Sequence, residues 1–335
     1  MATLHIFGGG TALIQQAIQL AQAVGWEASV RTSPRLWDPG DALAQQVKSM
    51  GVTVVCEEKL EAAMAGGPPI GAGDVALSYG APWIFRQAWI DQWNGGAFNY
   101  HPRRLPENRG GGGSSWAILM GDRLGRACFH QLTAGIDDGP IVAARSFEFS
   151  TGARFPVDFD QETEVVAELL QADWIPAIFE GQHHGGGPNG GQPEDLSTYW
   201  PRLNTAVHGW VDWSWERSEI MSFLHAFGPP YSGAQTFLRG CVVRLSDARM
   251  GDARVFHPFQ FGLIYRMQDG RVHVACRGGG LTLRIEEAAT GDSQRPRLGD
   301  RLVTPREELE AAMASRVSYD AAGNIARKRA DRTAE

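Results

Sequence analysis

Three polar side chains in the first half of the chain have the types and spacing that acyl transfer to an amine requires. Asn99 and His101 lie two residues apart at the end of an apolar run, so an extended strand would place both side chains on one face. Pro102 ends that strand, and Asp137 follows in the turn before the apolar run that begins at Ile141. An amide can stabilise an oxyanion, an imidazole can manage the amine proton, and a carboxylate can orient the imidazole.

The elements around these residues predict an α/β fold. Short apolar runs predict strands at 4–7, 27–30, 52–55, 75–79, 98–100, 126–132 and 141–149. Amphipathic stretches predict helices at 11–23, 41–50, 83–93 and 161–179. This alternation predicts a Rossmann-like, mainly parallel sheet with helices on both faces. Sheets of this kind bind ligands at the carboxyl ends of their strands, where Asn99 and His101 are expected.

The composition changes after residue 180 and divides the chain into four parts. We predict a catalytic domain at 1–181, a Gly/Pro-rich linker or loop at 182–198, a small β-rich C-terminal domain at 199–314 and a polar tail at 315–335. His183 and His184 lie in the linker without a carboxylate or cysteine at ligand spacing, so we interpret them as solvated rather than as metal ligands.

The predicted C-terminal domain begins with one helix and continues with short alternating runs. The helix is expected at 216–227, with Ser214 as its cap. Strands are expected at 234–237, 241–245, 262–267, 271–275 and 281–286.

Charge and cysteine usage narrow the function classes. The 335 residues carry a formal net charge of -7, which repels nucleic acid and argues against a nucleic-acid partner. The four cysteines are widely spaced, which argues against a zinc knuckle or a disulfide framework. The N-terminus lacks the pattern of a signal peptide, and no apolar run of about 18 residues occurs. We therefore expect a cytoplasmic protein without a membrane partner.

Two separate segments resemble one enzyme family. The first consists of Asn99-x-His101-Pro102, Leu105-Pro106, Arg109-Gly110 and Gly135-Ile136-Asp137-x-Gly139-Pro140. The second consists of Asp212-Trp213-Ser214, the helix after it and Pro230-Tyr231-Ser232-Gly233-Ala234. Both resemble the folate-dependent formyltransferases, in which a small C-terminal domain follows the catalytic domain of the methionyl-tRNA and sugar enzymes. The glycines at 110–113 before Ser114-Ser115-Trp116 look more like the sugar N-formyltransferase branch.

The resemblance implies 10-formyltetrahydrofolate as the formyl donor and gives each polar residue a role. Asn99 would bind the formyl oxygen, and His101 would stabilise the oxyanion or shuttle the amine proton. Asp137 would orient His101 and accept the proton. Asp138 is the adjacent carboxylate, and the sequence leaves open which of the two points into the site.

The resemblance also implies two binding surfaces. The donor would lie against Ser78, Tyr79, Gly80, Trp83, Ile84, Phe85, Gly135 and Ile136. The acceptor would lie against Gly8, Gly9, Gly10, Thr11, Arg109 and Gly110. The glycines after the first strand would let backbone N–H groups approach an anion at a helix N-terminus.

Several acceptors and roles stay open. The first acceptor candidate is a nucleotide-linked amino sugar, a small-molecule partner. Methionyl-tRNA would need a basic surface, which the two arginines in 31–38 support poorly, and a hydroxyornithine-type amine is a third candidate. A formyltetrahydrofolate hydrolase and a non-catalytic binding module are readings from other classes. The C-terminal domain could seat the acceptor, mediate a homodimer or brace the catalytic domain.

Overall fold

Seven strands from the first half of the chain form one sheet. The computed structural model describes residues 2–150, 157–181, 191–286 and 295–318. The strands are β1 Thr3–Gly8, β2 Glu27–Thr32, β3 Thr53–Cys56, β4 Val75–Tyr79, β5 Ala97–His101, β6 Leu124–Gln131 and β7 Ile141–Glu148. Five of them run parallel in the order β3-β2-β1-β4-β5, and β6 and β7 continue the sheet in antiparallel fashion. The predicted mainly parallel sheet is confirmed.

Helices cover both faces of this sheet. They are α1 Leu13–Ala23, α2 Ala42–Ser49, α3 Leu60–Ala65, α4 Gln87–Ile90, α5 Gly113–Leu119 and α6 Val157–Phe179. Successive residues of β1 show the two faces, because Ile6 packs with α1 and α6 while Phe7 packs with Trp89 of α4. Because both faces are covered, every residue of β1 and of β4 is buried.

The helix predicted at 83–93 is shorter than expected. Only Gln87–Ile90 is helical, and the residues before it form a loop. The Trp83 indole N–H donates to the Glu58 carbonyl at 3.0 Å, which ties this loop to the segment before α3. Helices α3 and α5 were not predicted, and α5 begins inside the glycine run.

Six strands of the second half form an antiparallel sheet. They are β8 Ala234–Leu238, β9 Cys241–Met250, β10 Ile264–Gln268, β11 Arg271–Cys276, β12 Gly279–Glu286 and β13 Leu302–Val303, in the order β10-β11-β12-β9-β8-β13. Helices α7 Thr205–His208, α8 Arg217–Ala226 and α9 Arg306–Ala314 accompany them. Ser214 does not cap α8, because Glu216 forms a capping box with Glu219 there. Elements α7, β13 and α9 were not predicted.

The two halves share a hydrophobic core. Ala117 and Ile118 of α5 belong to one buried cluster together with Ile220 and Leu224 of α8. Continuous apolar packing of this kind holds the two sheets in a fixed relation. Among the described residues, no helix combines the length and apolar character needed to cross a membrane.

Residues 191–203, here called the strap, connect the halves along the surface of the first sheet. Most of the predicted linker, including His183 and His184, lies outside the described residues. The strap lies beside the loop that follows β5, because the Arg109 N–H donates to the Thr198 carbonyl and the Trp200 N–H donates to the Arg109 carbonyl. The Trp116 indole N–H donates to the Pro201 carbonyl at 2.8 Å.

Candidate active site

A cleft of about 700 Å³ lies at the carboxyl ends of β1, β4 and β5. Asn99, His101 and Asp137 all line it. All eight residues predicted to contact the donor line it as well. Of the residues predicted to contact the acceptor, Gly9, Thr11 and Gly110 line the cleft. Strand ends therefore collect most of the predicted site in one cavity.

The Asn99 side chain is held by a histidine that sequence reasoning missed. Asn99 of β5 pairs with His130 of β6, and Asn99 Nδ2 lies 3.1 Å from His130 Nε2. His130 Nδ1 lies 2.8 Å from the Gln131 carbonyl, which can only accept, so Nδ1 carries the proton in the neutral ring. His130 Nε2 then accepts a hydrogen bond from one of the two Nδ2–H groups of Asn99. The second Nδ2–H group of Asn99 is available to the cleft.

His101 presents one free ring nitrogen toward Asp137. Its Nε2 donates to the Asn108 carbonyl at 2.7 Å, which leaves Nδ1 unprotonated in the neutral ring. Nδ1 faces Asp137 Oδ2 at 3.7 Å, beyond direct hydrogen-bond distance. Burial lowers the pKa of His101, and the charge of Asp137 raises it only in part. His101 is therefore neutral at pH 7 and can accept a proton at Nδ1.

Asp137 is the carboxylate that points into the site. Its Oδ2 accepts the Gly110 N–H at 2.9 Å, and its Oδ1 lies 3.5 Å from His130 Nε2. Burial alone would raise the pKa of Asp137, but the neighbouring rings of His101 and His130, which attract the carboxylate when either is protonated, and the Gly110 N–H lower this pKa below its usual range. Asp137 is therefore ionised at neutral pH.

Asp138 does not line the cleft. It is exposed, and one of its carboxylate oxygens accepts a hydrogen bond from the Thr133 hydroxyl. Asp137 itself has φ of 51°, a left-handed conformation that reverses the chain between the two carboxylates. The choice between the two aspartates, open in the sequence, is thus made by the backbone of the turn.

The apolar side chains that line the cleft, here called the apolar wall, include two that are strongly exposed. Ile84 is 86% exposed and Ile136 is 57% exposed, which is unusual for large aliphatic side chains in a cavity. Trp83 and Phe85 line the same wall. An apolar slot of this kind fits a flat ring whose binding would cover these side chains.

Three residues predicted to contact the acceptor do not line the cleft. A Cβ at Gly8 would lie 2.0 Å from the Tyr79 carbonyl oxygen, so Gly8 is needed for close packing of β1 on β4. Gly10 is exposed outside the cavity. The Arg109 side chain points to the strap, where it forms hydrogen bonds with Gln192 and Glu194.

The chain's own carboxylate fills the N-terminus of α1. Glu164 of α6 accepts the Thr11 hydroxyl at 2.5 Å and the Ala12 N–H at 3.1 Å. These are the groups that would otherwise attract an anion at the start of this helix. In this conformation the loop of glycines 8–10 therefore does not present a free anion site.

The positive charges of the cleft lie elsewhere. Arg35, Arg103 and Arg202 line it, and Tyr231 from the second half lines it with 48% of its surface exposed. Arg103 is buried and stacks over the Phe159 ring at 4.3 Å. Within the described residues, no group of three or more His, Cys, Asp or Glu side chains is arranged to hold a metal ion.

Comparison with known proteins agrees with this architecture. The family model described as formyl transferase, C-terminal domain, matches residues 205–296. Methionyl-tRNA formyltransferase of Dechloromonas aromatica is 28% identical over 217 residues, which cover 65% of this chain and 66% of that protein. A second methionyl-tRNA formyltransferase, from Pelobacter propionicus, is 27% identical over 62% of its length. The chain thus spans just under two thirds of these curated relatives.

Two solved structures share the fold. The N-formyltransferase of Helicobacter canadensis, in complex with folinic acid and dTDP-3-aminofucose, has a TM-score of 0.64 at 14% identity. That match covers 85% of this chain and all of the other. The sugar 3N-formyl transferase WlaRD, solved with dTDP and 5-N-formyl-THF, has a TM-score of 0.62 at 15% identity. This match covers 86% of this chain and 99% of the other. In its C-terminal domain match, its relatives and its shared fold, the chain is similar to the formyltransferase family.

Proposed function

We propose that this protein transfers a formyl group from 10-formyltetrahydrofolate to a primary amine. One observation carries the proposal: a neutral His101, an ionised Asp137 and an oriented Asn99 amide meet in one cleft beside an exposed apolar wall. This set supplies an oxyanion donor, a base for the amine proton and a charge that stabilises the protonated base.

The proposed roles follow from the hydrogen bonds. The second N–H of Asn99 would donate to the formyl oxygen as negative charge develops there. His101 Nδ1 would take the proton that leaves the amine, because Nε2 is already engaged with the Asn108 carbonyl. The resulting imidazolium would face Asp137 Oδ2, whose charge stabilises it. The imidazolium would then return the proton to the carrier nitrogen as the bond between that nitrogen and the formyl carbon breaks, which releases tetrahydrofolate. Both nitrogens of His101 thus have separate tasks.

The residues of the apolar wall fit the donor. The flat pterin ring of a reduced folate would cover the exposed side chains of Ile84 and Ile136, which are otherwise in water. Backbone at Ser78 and Gly80 lines the same wall and offers hydrogen-bonding groups to a ring edge. When bound, the donor supplies the formyl group, and the chain supplies orientation and proton transfer.

A nucleotide-linked amino sugar is the acceptor that we propose. Arg35 and Arg202 give the cleft cationic side chains that suit a diphosphate, and Tyr231 offers an aromatic face to a base. The Helicobacter canadensis neighbour, crystallised with dTDP-3-aminofucose, supports this class of acceptor. Because Arg202 lies at the end of the strap and Tyr231 in the second half, we propose that the C-terminal domain at 199–314 helps to seat the acceptor.

Methionyl-tRNA is the second acceptor candidate, and the curated relatives favour it. The net charge of -7 opposes it, because a tRNA ligand needs a positive surface to neutralise its phosphates. A hydroxyornithine-type amine and water, the acceptor of a hydrolase, remain as outcomes of the test.

The test follows release of tetrahydrofolate from 10-formyltetrahydrofolate with each acceptor in turn: dTDP-linked amino sugars, methionyl-tRNA and hydroxyornithine. We expect release only with an amino-sugar nucleotide, and the formylated sugar should appear in equal amount. Release with methionyl-tRNA would support the second candidate. Release without any acceptor would indicate a hydrolase, and no release under any condition would contradict formyl transfer.

A further inference from the structure

The strap contributes one side chain that joins the two loops of the catalytic site. Gln192 Nε2 donates to the carbonyls of Asp137 and Gly139, both at 2.8 Å. Gln192 Oε1 accepts from Arg109 Nε at 3.1 Å. The amide thus uses both of its N–H groups and its oxygen. One glutamine therefore links the loop that carries the catalytic carboxylate to the loop that follows β5.

These contacts act on the backbone that sets the carboxylate in place. Asp137 has φ of 51°, a left-handed conformation that is strained for a residue with a Cβ and persists only when the surroundings fix it. Gln192 bonds the carbonyl of this same residue. From the other loop, the Gly110 N–H donates to Asp137 Oδ2 at 2.9 Å. Gln192 therefore contacts both the backbone of Asp137 and the side chain of Arg109, the residue that precedes the Gly110 donor.

Backbone hydrogen bonds hold the strap against the loop that follows β5, and they fix the segment that carries Gln192. Both backbone polar groups of Arg109 pair with the strap, at 3.0 Å to Thr198 and 2.9 Å to Trp200. A Cβ at Gly112 would lie 2.2 Å from the Pro201 carbonyl oxygen, which shows how closely the glycine run packs on the strap. The glycines at this position are explained by that contact.

We propose that Gln192 is a positioning residue for Asp137, and that it sets the separation between the carboxylate and His101 Nδ1. The kinetic consequence rests on the proposed formyl transfer, whereas the effect on the geometry does not. Loss of Gln192 would free the turn at Asp137 and let the carboxylate move relative to the imidazole. A displacement of about 1 Å in a catalytic group can lower turnover by as much as about 100-fold.

The kinetic test compares Gln192→Ala and Gln192→Glu with a matched control, Gln92→Ala, whose side chain is exposed and bonds only the Ala88 carbonyl of its own segment. We expect Gln192→Ala to lower kcat about 10- to 100-fold with little change in the KM of the donor. Gln192→Glu keeps an acceptor for Arg109 but loses both donations to carbonyls, so it should not restore kcat. Gln92→Ala should behave as wild type.

A second readout is independent of formyl transfer. The imidazole of His101 is titrated by NMR in the ligand-free protein, and its pKa should fall in Gln192→Ala because the Asp137 charge that raises it moves away. An unchanged kcat and an unchanged His101 titration in Gln192→Ala would overturn the proposal, even if the variant melts at a lower temperature. If the wild-type protein shows no formyl transfer, the proposed function fails, and the titration alone decides whether Gln192 positions Asp137.

Discussion

The protein contains two buried histidine–aspartate pairs at opposite ends of the same sheet. His5 lies near the amino end of β1 and its Nε2 is 2.8 Å from Asp74 Oδ2. His101 is the last residue of β5, at the carboxyl end, and its Nδ1 is 3.7 Å from Asp137 Oδ2. Identical residue types therefore form one closed pair and one open pair.

The difference lies in what surrounds each pair. His5 Nδ1 lies 2.6 Å from Arg31 and 3.1 Å from Ser29, while Asp74 also accepts the N–H groups of Thr3 and Gly71. No atom of that pair remains for a substrate. His101 has only Nε2 engaged, and Nδ1 faces both the carboxylate and the cleft. A histidine–aspartate pair is thus available for proton transfer where one nitrogen is left without a hydrogen bond.

The largest expected effect comes from breaking the open pair. Asp137→Asn removes the charge that would stabilise protonated His101, so we expect kcat for formyl transfer to fall about 1000-fold. His101→Ala should cause a loss of similar size. Asp137→Asn keeps an oxygen that can accept the Gly110 N–H, so its urea unfolding should change little. His101→Ala also removes a buried ring and its hydrogen bond to the Asn108 carbonyl, so this variant should unfold at a lower urea concentration. Near-native turnover in either folded variant would contradict the roles proposed for this pair.

Breaking the closed pair should lower the stability of the fold and leave the turnover of the folded protein unchanged. Asp74→Asn leaves Arg31 buried without its counter-charge, and we expect the free energy of unfolding to fall by about 3 kcal/mol. The kcat of the remaining folded protein should stay at the wild-type value. Urea titration measures the first quantity and a single-turnover assay on folded protein the second.

The same variant gives a pH signature. Burial opposes the charged form of Asp74, but the hydrogen bonds from Gly71, His5 and Thr3 hold its pKa below 3.8 in the folded state. Its stabilising contribution is therefore present above about pH 4 and is lost as the pH falls through the folded pKa. The stability difference between wild type and Asp74→Asn should shrink below about pH 4, and a constant difference would argue against the charged pair.

A smaller effect is expected in the pH dependence of formyl transfer, which should follow the titration of His101. Burial lowers the pKa of His101 below 6.5, and transfer requires its neutral form. We expect kcat/KM to fall with decreasing pH along an acid limb that begins below pH 6.5. In Asp137→Asn the His101 pKa, followed by NMR, should move lower still because the raising charge is gone. A limb centred at or above pH 6.5 would contradict a desolvated base.

The smallest expected effect is on the KM of the donor and comes from a residue outside both pairs. Ile84→Ser removes an exposed apolar side chain from the proposed donor wall, so the KM of the donor should rise about 5-fold while kcat stays constant. Unfolding should change by less than about 0.5 kcal/mol, because the side chain is exposed in the free protein. A changed kcat with an unchanged KM would place Ile84 outside the donor site.

The sequence was sufficient for the order of the main elements and for the three catalytic candidates. Periodicity predicted β4 with its observed bounds, and apolar spacing predicted a helix at 11–23, within which α1 spans Leu13–Ala23. The Asn99-x-His101 pattern at a strand end predicted that both would reach the cleft. These features are local, so they leave a mark in a short stretch of sequence.

Features that depend on distant contacts were missed. His130 became visible only through the antiparallel register of β6 on β5, which places it beside Asn99. The family resemblance implied that Arg109 contacts the acceptor. Nothing in the sequence indicated that the strap would return to Arg109 and bind its side chain. The loop before α4 was predicted as helix, because the hydrogen bond from Trp83 to the Glu58 carbonyl is a tertiary contact that overrides helical spacing.

The most direct test of the central claim is a single-turnover experiment with 10-formyltetrahydrofolate and a dTDP-linked amino sugar. Mass spectrometry of the sugar nucleotide would be compared for wild type, Asp137→Asn and Asp74→Asn. We predict that the sugar gains one formyl group with wild type and with folded Asp74→Asn, and that Asp137→Asn is about 1000-fold slower. Equal rates for wild type and Asp137→Asn, or an unmodified sugar with every protein, would contradict the claim that the open pair performs this transfer.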